Sequence, residues 1–99
     1  MSEKVIVETV NKPGYTERVD AAKYHATRAA MLHALPSGDT GPTFAEMLAA
    51  IKPLLPQDLF PGGKTAGWWC KCVQLDLEAK GIVRRLPTKP LRFVTTDRS

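Results

Sequence analysis

The chain of 99 residues is long enough for one small domain, and its 43% hydrophobic and 24% charged residues are typical of a folded globular protein. Domains of this size bury a limited share of their surface, which leaves little room for a deep catalytic cleft beside the core. The composition therefore argues against a disordered chain and favours a binding module over an enzyme.

Charge is distributed unevenly along the chain. Residues 1–59 carry six Lys and Arg against seven Asp and Glu, whereas residues 60–99 carry eight against three, so the net charge changes from −1 to +5. A basic second part favours a polyanion-binding surface, although the solvated face of an ordinary domain gives the same pattern. Because no apolar run approaches the length of a membrane span and the first residues lack signal-peptide character, we expect a soluble, cytoplasmic protein that binds no membrane.

The first elements of the chain are a short β-prone segment and a helix. Residues 5–10 are rich in β-branched side chains and precede a turn at residues 11–14, which fits either an edge strand or an ordered arm. We therefore separate an N-terminal arm or strand, residues 1–18, from a domain at residues 19–96. Asp20 is suited to cap a helix over residues 21–35, and a loop rich in proline and glycine follows.

A capping box marks the start of the second helix, with Thr43 as the N-cap and Glu46 three residues later. Pro53 ends that helix near residue 52. An apolar connection broken by prolines follows, and we expect three of its side chains to pack under the domain: Leu55, Leu59 and Phe60.

The third helix is predicted over residues 65–80, with Gly81 in a left-handed conformation just past its end. On a helical wheel its apolar residues occupy one broad arc that we expect to face the core: Trp68, Trp69, Cys72, Val73, Leu75, Leu77 and Ala79. Trp68 is suited either to a partner surface or to burial beneath the loop around Phe60, and we expect burial. Asp76 falls within this arc, so its carboxylate requires a partner such as Lys, Arg or a backbone N–H.

No set of residues with catalytic or metal-binding spacing is found. Cys70 and Cys72 point about 200° apart on a helix, which excludes a mutual disulfide and indicates reduced packing residues. His25 and His33 lack paired metal-ligand spacing, so neither a metal nor another cofactor is expected. The sequence Gly63-Lys64-Thr65 resembles the end of a phosphate-binding loop, but the earlier glycine that such a loop requires is replaced by Asp58.

Two β-prone runs, residues 82–86 and 91–95, flank a turn that contains the prolines, which predicts a hairpin. Three helices followed by such a hairpin give an α+β chain with the element order of a winged helix-turn-helix. The segment 67–71 (GWWCK) ahead of Gly81 resembles the winged-helix domain at the N-terminus of Mrr-type restriction endonucleases. The whole chain also resembles a group of small uncharacterised bacterial proteins, and residues 97–99 are expected to be frayed.

This resemblance implies a non-enzymatic protein that binds double-stranded DNA, as a transcriptional regulator or as an accessory of a restriction system. The third helix would approach the major groove and the hairpin, as the wing, would contact flanking phosphates or the minor groove. The predicted contacts are Lys64, Thr65, Lys71 and Gln74 on the helix, and Arg84, Arg85, Lys89 and Arg92 on the wing. Gln74 is the residue suited to recognise adenine.

The alternative function is a protein-interaction module in which the same fold presents an apolar patch or an edge strand to a partner. Residues 5–10 favour this alternative, because an exposed β-branched segment can extend the sheet of another molecule. The partner in that case is a different protein or a second copy of the chain in a homodimer.

Overall fold

The structure, a computed structural model, describes residues 3–96 as three α-helices and two antiparallel hairpins. The helices are α1 (Ala21–Ala34), α2 (Phe44–Ile51) and α3 (Ala66–Ala79), and the strands are β1 (Lys4–Glu8), β2 (Thr16–Asp20), β3 (Val83–Leu86) and β4 (Arg92–Thr95). Short 3-10 turns at Lys52–Leu54 and Pro61–Gly63 interrupt the connection between α2 and α3. The chain is thus α+β, as predicted, whereas residues 97–99 lie outside the described part.

The N-terminal segment forms a strand that pairs with a second strand the sequence did not reveal. β1 and β2 are antiparallel, with Val5 opposite Val19 and Val7 opposite Glu17. Val7 and Val19 are each 5% exposed and belong to the core. The boundary expected between residues 18 and 19 therefore falls inside β2, and the hairpin packs with the helices.

Local capping chemistry sets the helix ends, as predicted. The Asp20 carboxylate accepts a hydrogen bond from the backbone N–H of Lys23 at 2.9 Å. Thr43 and Glu46 exchange the two hydrogen bonds of a capping box, at 3.2 and 2.9 Å. Gly81 follows α3 with φ of 76°, a left-handed conformation that glycine adopts without a Cβ clash. These contacts lie within a few residues, which is why the sequence shows them.

α3 lies at the centre of the fold and packs against α1, α2, β1 and β3. Its buried apolar residues are Ala66, Trp69, Cys70, Val73 and Leu77. The predicted arc was partly wrong, because Trp68 is 54% exposed, Ala79 is exposed and Leu75 is only half-buried, whereas Cys70 is fully buried. Leu55 and Phe60 are buried as expected, and Leu59 is partly buried against the core.

The buried carboxylate of Asp76 joins three elements of the fold. It is fully buried and accepts a hydrogen bond from the backbone N–H of Glu8 in β1 at 2.9 Å. It also accepts a hydrogen bond from the phenol hydroxyl of Tyr24 in α1 and forms an ion pair with Lys80 at 2.9 Å. The expectation that Asp76 has a partner such as Lys, Arg or a backbone N–H is confirmed, and the partners include Lys80 and the Glu8 N–H. Burial and the bond to Asp76 raise the pKa of Tyr24, so that this phenol stays protonated.

The connection between α1 and α2 runs along the outer edge of β4. The backbone N–H groups of Phe93 and Thr95 donate to the carbonyl oxygens of Pro42 and Pro36, at 3.0 and 2.9 Å. A Cβ on Gly41 would overlap the Phe93 carbonyl oxygen, so this approach requires glycine. The β3–β4 hairpin is consequently bound to the helical body along one edge.

Replacing Asp76 with alanine should destabilise the domain by about 3–5 kcal/mol, because Lys80 and the Glu8 amide lose their buried partner. The free energy of unfolding in urea measures this change. Asp39→Ala is the matched control, because the Asp39 side chain is 98% exposed and should cost less than about 1 kcal/mol. Equal effects in the two variants would show that the Asp76 network does not stabilise the fold.

Candidate nucleic-acid interface

Three of the predicted helix residues are exposed around the N-terminal half of α3. Lys64 and Thr65 precede the helix, and Thr65 has φ of 62° with its hydroxyl donating to the Lys64 carbonyl oxygen at 2.6 Å. Lys71 projects outward, and its ammonium group lies 5.1 Å from the centre of the Phe44 ring in α2. This cation–π contact holds the Lys71 side chain on the α2 side of α3.

Lys71 lies beside the loop that joins β3 to β4. One cleft is lined by Lys71, by Phe44 and its neighbours at the start of α2, and by Pro90 and Leu91 of the loop. Lys89 is exposed and adjacent to Pro90 in the chain. The structure therefore brings Lys71 and the loop that carries Lys89 to the same side of the molecule.

Gln74 cannot contact a base, and its predicted role was wrong. The residue is fully buried, and its amide nitrogen donates to the Glu78 carboxylate. Its amide oxygen has no hydrogen-bond partner among residues 3–96. The helical wheel placed Gln74 on the outer arc by its polarity, whereas the true inner face of α3 passes through Cys70, Gln74 and Leu77.

Arg85 is engaged within the protein. Its guanidinium donates two hydrogen bonds to the Glu78 carboxylate, from Nε at 2.9 Å and from Nη2 at 3.1 Å. The Glu78 side chain is only 6% exposed, and its hydrogen bonds raise the pKa of Arg85. A two-point pair of this kind binds β3 to α3, so that Arg85 is already engaged by a carboxylate before a phosphate arrives.

Arg84 and Arg92 lie on one face of the β3–β4 hairpin, because Arg84 is opposite Val94, two residues from Arg92. Each contacts the connection between α1 and α2. Arg84 donates to the Gly38 carbonyl oxygen at 2.9 Å and pairs with an Asp39 oxygen at 3.3 Å. Arg92 donates to the Gly41 carbonyl oxygen at 2.8 Å and pairs with Glu46 at 3.4 Å. These exposed ion pairs are weak and can exchange for a phosphate.

The outward side of α3 bears a feature that the sequence analysis missed. Trp68, Cys72 and Leu75 lie three or four residues apart and face the β1–β2 hairpin across a groove of about 200 Å³. We call this the hairpin groove, and its lining includes Glu8, Tyr15, Glu17, Trp68, Cys72 and Leu75. The expected burial of Trp68 was wrong because the loop around Phe60 does not cover it. The helical spacing of Trp68, Cys72 and Leu75 was the sequence signal that indicated a second apolar side of α3.

Neither Cys70 nor Cys72 lies in an environment that activates a thiol. Burial raises the pKa of Cys70 to about 12 and that of Cys72 to about 11, so both thiols are protonated at neutral pH and poor nucleophiles. In the described part of the chain no three His, Cys, Asp or Glu side chains are grouped as metal ligands, and no helix could cross a membrane. The prediction of a non-enzymatic protein stays a prediction.

A protein-family model matches residues 4–93, from β1 into β4. The chain belongs to DUF6958, a family of unknown function. Comparison with curated proteins and with solved structures found no match. Membership in this family does not bear on the resemblance to Mrr-type winged-helix domains, which stays a prediction.

Replacing Arg85 with alanine should lower the free energy of unfolding by about 2–3 kcal/mol, because the Glu78 carboxylate then stays buried without its cation. Arg84→Ala should cost less than about 1 kcal/mol, since that pair is exposed. Urea unfolding compares the two variants. Adding Glu78→Gln to Arg85→Ala should recover part of the loss, and no recovery would contradict the assigned pair.

The free energy of unfolding should fall as pH rises from about 9, the ordinary thiol value, to about 11, the pKa of Cys72. The unfolded chain releases its thiol protons at lower pH than the folded chain, so alkaline pH favours unfolding. Each thiol contributes up to about 1.4 kcal/mol per pH unit in this window. A Cys70→Ala, Cys72→Ala double variant should show a shallower decline, and an identical slope would rule out the thiols as the cause.

Proposed function

We propose that this protein is a winged-helix domain that binds double-stranded DNA without catalysing a reaction. The proposal is carried by one observation: Lys71 on α3 and the Pro90 and Leu91 end of the β3–β4 loop line the same cleft. A helix and a loop on one side of a domain can contact one duplex together. In this assignment α3 is the recognition helix and the β3–β4 hairpin is the wing.

Two contacts hold the wing at a fixed distance from α3, which supports its use as a second contact with DNA. The Arg85–Glu78 pair joins β3 to α3, and the backbone bonds of Phe93 and Thr95 join β4 to the α1–α2 connection. A binding surface formed before DNA arrives avoids the cost of ordering a loop during association. Arg85 thus contributes to this proposal by positioning the wing.

The available contacts favour phosphate binding over base recognition. The lysine surface, defined as Lys64, Lys71 and Lys89 together with Thr65, is exposed. Arg84 and Arg92 can join it by exchanging their weak pairs for phosphates, whereas Gln74 is buried. Lys and Arg contacts to phosphate carry affinity and register but little sequence information. We therefore propose a DNA-binding protein of modest sequence preference, acting in the cytoplasm as a regulator or restriction-system accessory.

The acidic side chain of Glu78 on α3 weakens phosphate binding by this surface only slightly. Glu78 would repel a phosphate if it were free, but Arg85 neutralises it and it is 6% exposed.

Three lysines and two arginines neutralise at most five phosphates. A plot of the logarithm of the binding constant against the logarithm of the salt concentration should therefore have a slope of about −3 to −4.5.

Titration of a fluorescein-labelled duplex, followed by anisotropy at about 50 and 200 mM salt, tests the proposal. Lys71→Ala with Lys89→Ala should weaken binding roughly tenfold at low salt and reduce the salt slope by about two, since two phosphate contacts are removed. Lys4→Ala with Lys12→Ala removes the same charge from the N-terminal hairpin and should have little effect. Absence of binding at both salt concentrations, or equal weakening by the two double variants, would refute the proposal.

A further inference from the structure

The outward side of α3 is apolar where it faces the N-terminal hairpin. Trp68 is 54% exposed, and Cys72 and Leu75 are half-buried on the same side of the helix. Trp69 contacts the Trp68 ring edge to face, with ring centres 5.0 Å apart, and is itself only 7% exposed. One tryptophan of this pair therefore belongs to the core, and the other leaves a large apolar surface in water, which is typical of an interaction site.

The β1–β2 hairpin turns this apolar side into a groove. Tyr15, at the end of the hairpin turn, is 45% exposed and lines the hairpin groove together with Trp68. The bond from the Glu8 N–H to the buried Asp76 carboxylate fixes β1 beside α3, so both walls of the groove are held in place. A volume of about 200 Å³ accommodates one or two side chains but not a whole folded element.

The charges of the hairpin groove indicate what it binds. Glu8 and Glu17 line it, and neither carboxylate takes part in an ion pair within residues 3–96. Lys71 is the single cation among the described lining residues, so the lining carries a net charge of −1. Glu17 accepts a hydrogen bond from the Tyr15 hydroxyl at 3.5 Å, which leaves its charge uncompensated. Carboxylates without a cation beside an apolar surface repel phosphates and attract cationic side chains.

We propose that the hairpin groove docks a segment of a partner protein in which an apolar side chain is flanked by arginine or lysine. The apolar side chain packs against Trp68 and Leu75, where it removes exposed aromatic surface from water. The neighbouring cation reaches Glu17 or Glu8, and arginine fits best because its guanidinium also stacks on Trp or Tyr rings.

This proposal does not depend on DNA binding. Lys71 contacts Phe44 of α2 and lines a cleft with Pro90 and Leu91 of the wing loop, whereas Trp68, Cys72 and Leu75 face the β1–β2 hairpin. Failure of the DNA titration would therefore leave the groove proposal intact. The two sites meet only at Lys71, which lines both clefts.

Selection from a random twelve-residue peptide library displayed on phage, with the intact chain as target, tests the groove without knowledge of the natural partner. Selected peptides should share an apolar residue next to Arg or Lys. Trp68→Ser should weaken their binding at least tenfold, as measured by anisotropy of the labelled synthetic peptides. Leu54→Ser, which removes a 46% exposed apolar side chain elsewhere, is the matched control and should leave binding unchanged.

Charge reversal provides the decisive comparison. Glu8→Arg with Glu17→Arg should abolish binding of the basic peptides and should select acidic–apolar peptides in their place. Recovery of no peptides, of peptides insensitive to Trp68→Ser, or of peptides insensitive to the charge reversal would overturn the proposal. Sedimentation showing a dimer that Trp68→Ser dissociates would also overturn it, by assigning the groove to a second copy of the chain.

Discussion

The carboxylate of Asp76 is the interaction on which the arrangement around α3 depends. A buried carboxylate is costly unless donors surround it, and here the donors come from β1, α1 and the end of α3 itself. The apolar contacts of Val7 and Val19 hold one face of the N-terminal hairpin on the core. The bond between Asp76 and the Glu8 N–H fixes the end of β1 beside α3, and with it the wall of the hairpin groove that carries Tyr15 and Glu17.

Ion pairs within the chain reduce the number of cations that the basic part of the chain can offer to a ligand. Residues 60–99 have a net charge of +5, yet Lys80, Arg84, Arg85 and Arg92 all contact carboxylates of the same chain. Net charge therefore overstates the attraction for a polyanion. What separates these cations is exposure: a pair with a buried partner, as in Arg85–Glu78, is structural, whereas a pair between exposed groups can be exchanged for a ligand.

The features predicted correctly from the sequence are those that neighbouring residues determine. The caps at Asp20 and Thr43 and the glycine after α3 involve contacts within a few positions. The features predicted wrongly depend on distant segments. β2 has one buried residue, Val19, and is a strand because β1 pairs with it. Which side of α3 becomes buried depends on α1, β1 and β3. The sequence therefore predicted an exposed Gln74 and a buried Trp68, whereas the structure has Gln74 buried and Trp68 exposed.

The apolar residues of α3 lie on two sides of the helix, one in the core and one along the hairpin groove. This arrangement explains how a helix with a broad apolar arc fits in a small domain. The inner residues of the helix complete the core, whereas Trp68 is exposed and Cys72 and Leu75 are half-buried, and these three residues line the hairpin groove together with acidic residues. Lys71 lies at the edge of this groove and reaches toward α2 and the wing. Because the family match extends over residues 4–93, it includes the N-terminal hairpin as well as the helices. The hairpin, which the sequence analysis set apart from the domain, therefore belongs to the unit that the family defines, and it supplies one wall of the groove.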